Sequence, residues 1–420
     1  MNFPFLPRGS SRFLVATNTA SQFLGRVVSS GAIFVASILI ARAFGANGYG
    51  DFIKITSYIA LFYLLADFGM NAIYLQRAEG RENLWPTLFW LRVIGSILLV
   101  FLALAVLTFL PQGIRQGYTS GVKLGIILFS PAIILQAIIT TTNAVFQQKL
   151  RYDLSTAAVT AGAIVTVFLI WAVALSTSPL VGPIASTLAF LCGTLATALI
   201  GLIFVRRFVI FRFAFDREIA RRLVVASFPL GLTLLFNQIY FRADSIILTL
   251  TRSTADVGIY GFAYKIFEVA LVLPTFFMNS VYPLMLKNAG QSNGQQLRRM
   301  VKKSLVVLGV GALIVTALLW SVAPLLVLVR PEFSESIGVL RILSLSLPLF
   351  FVTSLLMWTI VTMNRQGILI PIYGFSMVGN ILANSFLIPS YGYVAAAWVT
   401  VGSEAVVLLL TGSVVLRRFR

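Results

Sequence analysis

Long apolar runs, repeated from one end of the chain to the other, constrain its fold more than any other feature of the sequence. Each run is roughly 18 to 25 residues long, which is enough for a helix to span a lipid bilayer. Charged residues make up only 11% of the chain, whereas soluble domains contain about 25%. The segments between the runs are too short for a second globular domain. The sequence therefore predicts an all-α polytopic membrane protein.

The apolar runs predict 12 transmembrane helices, joined by short connectors that carry helix breakers such as Pro111 and Gly113. The predicted spans lie near residues 16–40, 53–75, 85–110, 122–146, 154–175, 181–205, 223–250, 257–286, 304–329, 337–362, 367–388 and 391–416. The basic residues behind the net charge of +19 are concentrated in alternate connectors, which predicts that these connectors and both termini are cytoplasmic. Their placement between apolar runs favours anionic lipid as a partner over nucleic acid.

A short sequence occurs twice, half the chain apart: ARAFGANGYGDFIKI begins at Ala41 and TRSTADVGIYGFAYKI begins at Thr251. Both copies contain an arginine, then a Tyr-Gly pair, and then a lysine, which is Lys54 in the first copy and Lys265 in the second. Each copy would form the first outside loop of a set of six spans. Since six is an even number, the pattern predicts a parallel repeat of two six-helix lobes. Chance recurrence of a Tyr-Gly turn is the alternative explanation.

The predicted N-lobe comprises residues 1–205, and the predicted C-lobe comprises residues 223–420. A cytoplasmic linker of residues 206–222 joins them. Phenylalanine and arginine alternate in this linker, which predicts an amphipathic segment on the membrane surface.

Two segments of the first half, ILIARAFGANGYGDF and LLADFGMNAIYLQR, resemble the start of Wzx-type polysaccharide repeat-unit flippases. These flippases belong to the multidrug/oligosaccharidyl-lipid/polysaccharide (MOP) exporter superfamily. The segments SFPLGLTLLFNQIYFRADSIIL and VGIYGFAYKIFEVALVLPTFFMNSVYPLML resemble the start of the family's second lobe. The resemblance covers nearly the whole chain.

The resemblance implies two six-helix lobes around a central cavity, in a multi-pass protein of the bacterial plasma (inner) membrane. It implies that the chain flips a polyprenyl-diphosphate-linked oligosaccharide from the cytoplasmic to the outer leaflet, by alternating access, for cell-surface or exopolysaccharide synthesis. Glycosyltransferases and a polysaccharide polymerase are then expected partners. The alternatives are a cation-coupled multidrug exporter of the same superfamily and a membrane glycosyltransferase or polymerase.

Ionisable residues within predicted spans are candidates for function, because their burial in hydrocarbon is costly. Arg26, Asp67 and Arg92 are all predicted roughly 10–15 Å from the cytoplasmic ends of their helices, which would let them form one cluster. Arg26 and Arg92 are the predicted ligands of the diphosphate, since a planar guanidinium group binds pairs of phosphate oxygens. The alternative is that both arginines snorkel to the membrane interface.

Polar residues recur every four positions in several predicted spans, as in Gln22 and Arg26 of the first and Asn143 and Gln147 of the fourth. A polar stripe on a lipid-buried helix must face protein or water. Several stripes together predict a hydrated cavity, in which Gln22 and Asn143 would bind sugar hydroxyl groups. The alternative is that the stripes hydrogen-bond packed helices to each other.

In the second half, Arg242 and Lys265 are predicted to meet the substrate nearer the outer face, with Asp244 and Glu268 as their charge partners. Because these four charges sum to zero, a purely structural set of ion pairs is the alternative. Glu404 is predicted near the middle of the last span, without a basic residue at its depth. It is the candidate to bind a coupling proton or sodium ion, and a carboxyl group engaged only in packing is the alternative.

Several chemistries lack the residues that they need. The chain has no histidine and a single cysteine, Cys192, so we expect no metal site built on these residues. It contains no G-x-x-x-x-G-K-[ST] loop for a nucleotide. The acidic residues near the predicted outer loops have no partner suited to glycosyl transfer. We therefore expect a transporter without cofactor, metal or catalytic residues, rather than an enzyme.

Overall fold

The computed structural model describes residues 11–77, 84–113, 116–212, 214–290 and 294–419, which are helical almost throughout. The first half contains α1 (Ser11–Asp67), α2 (Met70–Arg77), α3 (Trp85–Phe109), α4 (Ser120–Phe129), α5 (Ala132–Gln148), α6 (Tyr152–Ser176) and α7 (Gly182–Val205). The second half contains α8 (Arg217–Thr251), α9 (Thr254–Ala270), α10 (Val272–Gly290), α11 (Gly294–Val322), α12 (Ser334–Ser344), α13 (Leu347–Thr362) and α14 (Leu369–Phe419).

Within the described residues, 10 helical segments are long and apolar enough to cross a membrane. They are Ser21–Leu75, Trp85–Phe109, Ser120–Gln148, Tyr152–Ser176, Gly182–Val205, Arg217–Thr251, Thr254–Tyr282, Gln295–Leu328, Pro331–Thr362 and Gln366–Arg418. The all-α polytopic fold predicted from the sequence is therefore confirmed. Most segments correspond to one predicted span each, whereas the first and the last each cover two.

The first and last segments are double-length because each contains a reversal of the chain. They have 55 and 53 residues, about 80 Å of helix, whereas the bilayer core is about 30 Å thick. Gly45 and Gly392 break them with φ angles of 68° and 64°, in the left-handed region that favours glycine. Asn380 Nδ2 donates to Ser403 Oγ at 3.1 Å, which joins the arms on either side of Gly392. If each of these two segments is counted as two passes, the described residues contain twelve passes in ten segments.

The two arms of α1 start and finish at the same end of the bundle. Near the start, Ser21 O accepts a hydrogen bond from Thr156 Oγ1 at 2.6 Å; near the finish, Asp67 pairs with Arg92. Thr156 and Arg92 both lie near the starts of their own helices, α6 and α3, which begin at Tyr152 and Trp85. The connection between α7 and α8 lies at this end, which we call the linker end. The opposite end, with the two copies of the repeated sequence, is the repeat end.

At the repeat end, the two copies of the repeated sequence pack directly against each other. A Cβ atom on Gly50 would lie 2.0 Å from Thr254 O, and a Cβ atom on Gly258 would lie 1.9 Å from Ala46 O. No side chain fits in either place, so the glycines allow the backbones of α1 and α9 to touch. The repeated sequence thus forms the contact that closes the two halves of the protein together at this end.

Buried polar contacts reinforce the closure. Lys54 is only 1% exposed, and its Nζ donates to Thr254 Oγ1 at 2.7 Å and to Gly117 O at 3.0 Å. Ala46 N donates to Glu332 Oε2 at 2.8 Å. Two of these hydrogen bonds connect the first half of the chain to the second. Lys54 therefore ties α1 to both a neighbouring loop and the start of α9.

Replacing Lys54 with methionine should loosen the repeat end. Lys54→Met keeps the length of the side chain but removes both hydrogen bonds, each worth about 1 kcal/mol. We expect a cysteine placed at Ala46, which is 3% exposed, to react about fivefold faster with a membrane-impermeant maleimide. The reporter protein would carry Cys192→Ser, so that the new thiol is the one labelled.

Two further variants separate the contact across the halves from contacts within the first half. Thr254→Val removes only the hydrogen bond from Lys54 to Thr254, one of the two between the halves, and should also speed labelling. Lys123→Met removes a 3.0 Å hydrogen bond to Leu110 O within the first half and should leave the rate unchanged. Equal labelling rates in all three variants would contradict the prediction.

Candidate functional site

A cavity of about 1640 Å³ lies between α1, α5, α6 and α7 of the first half and α10 of the second. It follows α6 from Tyr152 to Thr166, so it occupies the linker-end part of the bundle. Asn71 of α2 also reaches its wall. Four helices of the first half thus form most of the cavity, and one helix of the second half completes it.

The cavity wall is rich in amide and hydroxyl groups. The amide residues are Gln22, Asn71, Gln136, Asn143, Gln147 and Asn279, and the hydroxyl residues are Ser29, Thr140, Tyr152, Ser155, Thr156, Thr166, Thr194, Thr197, Thr275 and Ser280. Among the described residues that line the cavity, Arg26 alone is charged, and none is a carboxylate. Such a wall can hydrogen-bond hydroxyl groups and phosphate oxygens, but it offers no counter-charge to a cation.

Arg26 presents an unpaired guanidinium group to the cavity. Its side chain is exposed, and no ion pair or hydrogen bond holds it within the part of the chain that the structure describes. Gln22 lies one helical turn before it on α1, and Tyr152 lies close enough to interact with it electrostatically. A free guanidinium group beside amide and hydroxyl groups is suited to binding a phosphate.

Arg92 is buried behind the cavity wall. Its side chain is 0% exposed and forms a salt bridge with Asp67. Arg92 Nη1 donates to Asn71 Oδ1 at 2.7 Å and to Thr141 Oγ1 at 3.2 Å. Asn71 lines the cavity, and its Nδ2 donates to Thr140 O at 3.2 Å. Arg92 therefore orients a residue of the wall and does not itself reach the cavity.

The structure groups the candidate residues of the first half in two sets. Gln22, Arg26 and Asn143 come together on the cavity wall. Asp67 and Arg92 form the buried pair next to it, and neither lines the cavity. The three ionisable residues that the sequence places at one depth therefore do not form one cluster.

The candidate charges of the second half lie outside the cavity lining. Glu268 accepts hydrogen bonds from Arg242 Nη2 at 3.1 Å and from Lys265 Nζ at 2.7 Å. Asp244 is 3% exposed and accepts a hydrogen bond from the hydroxyl group of Tyr260. The side chains of Arg242 and Lys265 are 19% and 21% exposed, so both cations remain partly accessible.

Glu404 is buried in the second arm of α14, where it is 3% exposed. Tyr240 donates from its hydroxyl group to Glu404 Oε2 at 3.2 Å, and no described basic residue forms an ion pair with this carboxyl group. Ser403, which precedes it in the sequence, accepts from Asn380, whose Oδ1 accepts from Asn384 at 2.9 Å. A carboxyl group in contact with hydroxyl groups offers oxygen ligands of the kind that a small cation binds, and it can itself take up a proton.

Sequence reasoning missed the threonines of α6 and α7, among them Thr166 and Thr197. They lie where these two helices approach closely: a Cβ atom on Gly162 would lie 2.5 Å from Gly193 O. Each glycine precedes one of these threonines by four residues, which is the small-residue spacing typical of packed membrane helices. That spacing was a usable signal, although it does not reveal which faces border a cavity.

Comparison with protein families gives two overlapping matches. The family described as Polysaccharide biosynthesis protein matches residues 15–289, and the MatE family matches residues 229–386. No curated protein matches the chain significantly.

Several solved structures share the fold. The lipid II flippase MurJ in an inward closed conformation superposes with a TM-score of 0.74 at 13% identity, covering 95% of this chain and 87% of MurJ. An inward-facing multidrug resistance MATE family transporter of the MOP superfamily superposes with 0.72 at 13% identity, covering 93% and 95%. A MOP superfamily transporter from Pyrococcus furiosus gives 0.66 at 14% identity, covering 97% and 94%. Identities this low establish the fold alone.

The contrast between the two arginines predicts different effects on stability. Arg92→Met should lower the thermal unfolding midpoint in detergent, because it leaves Asp67 and Asn71 without their buried partner. The loss should be smaller than the about 3 kcal/mol of a fully buried ion pair, because the Asp67 side chain is 26% exposed. Arg26→Met makes the same chemical change at an unpaired side chain and should leave the midpoint unchanged. An equal decrease in both variants would show that burial does not distinguish them.

Proposed function

The chain belongs to the polysaccharide biosynthesis protein family within the MOP superfamily of membrane transporters and flippases, and we propose that it flips a polyprenyl-diphosphate-linked oligosaccharide across the membrane. Membership confirms the resemblance found in the sequence. The proposal adds the substrate, the direction from the cytoplasmic to the outer leaflet, and a role in cell-surface or exopolysaccharide synthesis. Glycosyltransferases that build the oligosaccharide and a polymerase that joins it are the expected partners.

The observation that carries the proposal is the cavity whose described lining contains one arginine, unpaired among the described residues, and no carboxylate. A diphosphate-linked sugar cannot cross about 30 Å of hydrocarbon without a polar path. Arg26 is suited to the diphosphate because its planar group can donate two parallel hydrogen bonds. Gln22 and Asn143 are suited to the sugar because amides both donate to and accept from hydroxyl groups.

The lipid tail can stay in the bilayer while the polar head group enters sideways. Phe23 of α1 and Phe276 of α10 belong to different halves and meet at the cavity wall, with ring centroids 4.5 Å apart. Phe23 is 49% exposed, so the contact is reachable from the surrounding membrane. Separation of the two rings would open a lateral entrance for the head group.

The head group would cross the membrane by alternating access, in which the cavity opens first to one side and then to the other. We place the linker end in the cytoplasm because the sequence concentrates basic residues in the connectors on that side, so both termini would be cytoplasmic in a bacterial plasma membrane. Rocking of the halves would close the cavity at the linker end and open the contact at Gly50 and Gly258. Arg242 and Lys265 would then attract the diphosphate towards the outer face, in competition with Glu268.

The two rival functions have less support. A multidrug exporter for cationic compounds would need acidic groups in its cavity, and the lining of this one has none among the described residues. A membrane glycosyltransferase or polymerase would need catalytic carboxylates at the sugar, and the same observation disfavours it.

Replacing Arg26 tests the proposed substrate. In proteoliposomes loaded with a fluorescent polyprenyl-diphosphate-linked oligosaccharide, Arg26→Ala should slow flipping by on the order of tenfold to a hundredfold, the range for loss of hydrogen bonds to a charged group. Arg26→Lys should retain part of the activity because it keeps the charge but not the bidentate geometry. Flipping is measured as quenching of the head group in the outer leaflet.

Arg42→Ala is the matched control, since Arg42 is an exposed arginine of the same helix at the repeat end. It should flip at the wild-type rate. Normal flipping by Arg26→Ala, or an equal loss in Arg42→Ala, would refute the role of Arg26. Uptake of a cationic dye without lipid flipping by the wild-type protein would favour the multidrug exporter.

We also propose that Glu404 binds the coupling proton or sodium ion. Glu404→Gln preserves the shape of the side chain but cannot release a proton or neutralise a cation. Flipping by this variant should lose its dependence on an imposed pH or sodium gradient, while a slow gradient-independent rate persists. Glu335→Gln is the control, since Glu335 accepts a hydrogen bond from Tyr393 at the exposed repeat end. Retained gradient dependence in Glu404→Gln would assign coupling to another group.

A further inference from the structure

The connection between the halves, residues 206–212 and 214–222, forms a surface on which arginine and apolar side chains alternate; we call it the linker surface. Its arginines with exposed side chains and no acidic partner among the described residues are Arg206, Arg207, Arg212, Arg217 and Arg221. Ile210 and Phe215 lie between them and are 66% and 44% exposed. A segment that exposes both charged and apolar side chains is most stable at the interface between water and the hydrocarbon of the bilayer.

The acidic residues of the linker surface are already engaged. Asp216 caps α8, because its Oδ1 accepts from Glu218 N at 2.8 Å and from Ile219 N at 3.0 Å. Glu218 pairs with Arg222 at 3.8 Å. The positive charge of the remaining arginines is therefore not neutralised from within the segment.

The backbone of the linker surface is held against the start of α3. Trp90 Nε1 donates to Arg212 O at 3.2 Å, and Asp216 N donates to Thr87 Oγ1 at 3.2 Å. These contacts fix an otherwise non-helical stretch next to the half-buried Trp90. Tryptophan, like tyrosine, is enriched in the interfacial region of a bilayer. The position of the segment is therefore that of the lipid head groups.

Aromatic rings position two of the guanidinium groups. Arg206 Cζ lies 5.8 Å from the ring centre of Phe211, and Arg207 Cζ lies 5.8 Å from that of Phe204. Phe211 in turn packs edge-on against Phe89 with centroids 5.5 Å apart. A guanidinium group stacked on a ring keeps its N–H edge free to bind phosphate oxygens.

We propose that the linker surface is a binding site for anionic phospholipids. The arginines bind the phosphate and the anionic head group, and Ile210 and Phe215 enter the acyl region beneath. Because the segment joins α7 to α8, a bound lipid contacts the chain that connects the two halves. This proposal does not depend on the proposed substrate, since it concerns a surface outside the cavity.

A second basic surface provides the comparison that the test needs. Helix α11 carries exposed Arg298, Arg299, Lys302 and Lys303. Among the described residues, no aromatic ring stacks on them, and no side chain donates a hydrogen bond to their backbone as Trp90 does to Arg212. If lipid binding followed charge alone, the two surfaces would be equivalent.

The experiment measures binding of fluorescent phosphatidylglycerol to the full chain in nanodiscs of neutral phosphatidylcholine. The combined variant Arg206→Gln, Arg207→Gln and Arg212→Gln should bind about a hundredfold more weakly, at roughly fivefold for each arginine near an anionic lipid. The control variant Arg298→Gln, Arg299→Gln and Lys303→Gln removes the same charge from α11 and should bind within about twofold of wild type.

Equal losses in the two variants would overturn the site, because they would show general electrostatic attraction. Unchanged binding by the linker variant would overturn it as well. If that variant does not fold, Phe211→Leu keeps every charge and removes the ring beneath Arg206; weaker phosphatidylglycerol binding then supports the site. Unchanged phosphatidylglycerol binding by Phe211→Leu would contradict a site in which rings position the arginines. Equally strong binding of phosphatidylcholine by the wild-type protein would contradict a site selective for anionic lipid.

Discussion

The absence of hydrogen-bond partners in hydrocarbon is the constraint on which the rest of this structure depends. Every polar side chain within the spans must find a partner in the protein or face water. Arg92 meets this requirement with Asp67 and Asn71 and becomes part of the framework. Arg26 has no such partner among the residues that the structure describes, and the cavity beside it supplies a polar surrounding instead. The same residue type at a similar depth is therefore part of a buried ion-pair network in one place and faces a cavity in the other.

Hydropathy and loop charge are sufficient to predict the helices, because the length of an apolar run is set by the thickness of the bilayer. They also predict the chain reversals near Gly45 and Gly392, although not that each reversal is a single glycine within a nearly continuous helix. Counting residues along a span gives the depth of Arg26, Asp67 and Arg92, but not the direction in which each points. That direction depends on which neighbouring helices pack on which face, and it is decided by tertiary contacts.

The two copies of the repeated sequence place a lysine at the same position, but the two lysines form different contacts. Lys54 and Lys265 occupy equivalent places in the two copies, yet Lys54 reaches across to Thr254, whereas Lys265 pairs with Glu268 on its own helix. The sequence predicts the duplication but not this difference, because only one copy has a carboxylate within reach one turn later. Gln22 and Asn143 were predictable as cavity residues from their polar stripes. The glycine spacing in α6 and α7 signals close helix packing but not that their threonines border a cavity, since a threonine can satisfy its own hydroxyl group within a helix.

The unequal sharing of the cavity has a mechanical consequence. Helices α1, α5, α6 and α7 of the first half form most of its wall, with Asn71 of α2, whereas α10 alone contributes from the second half. A head group bound there would move together with the first half, so its contacts would change little during the motion. Movement of the second half would open and close the cavity. Mutations that alter affinity and mutations that alter the speed of turnover should therefore segregate between the two halves.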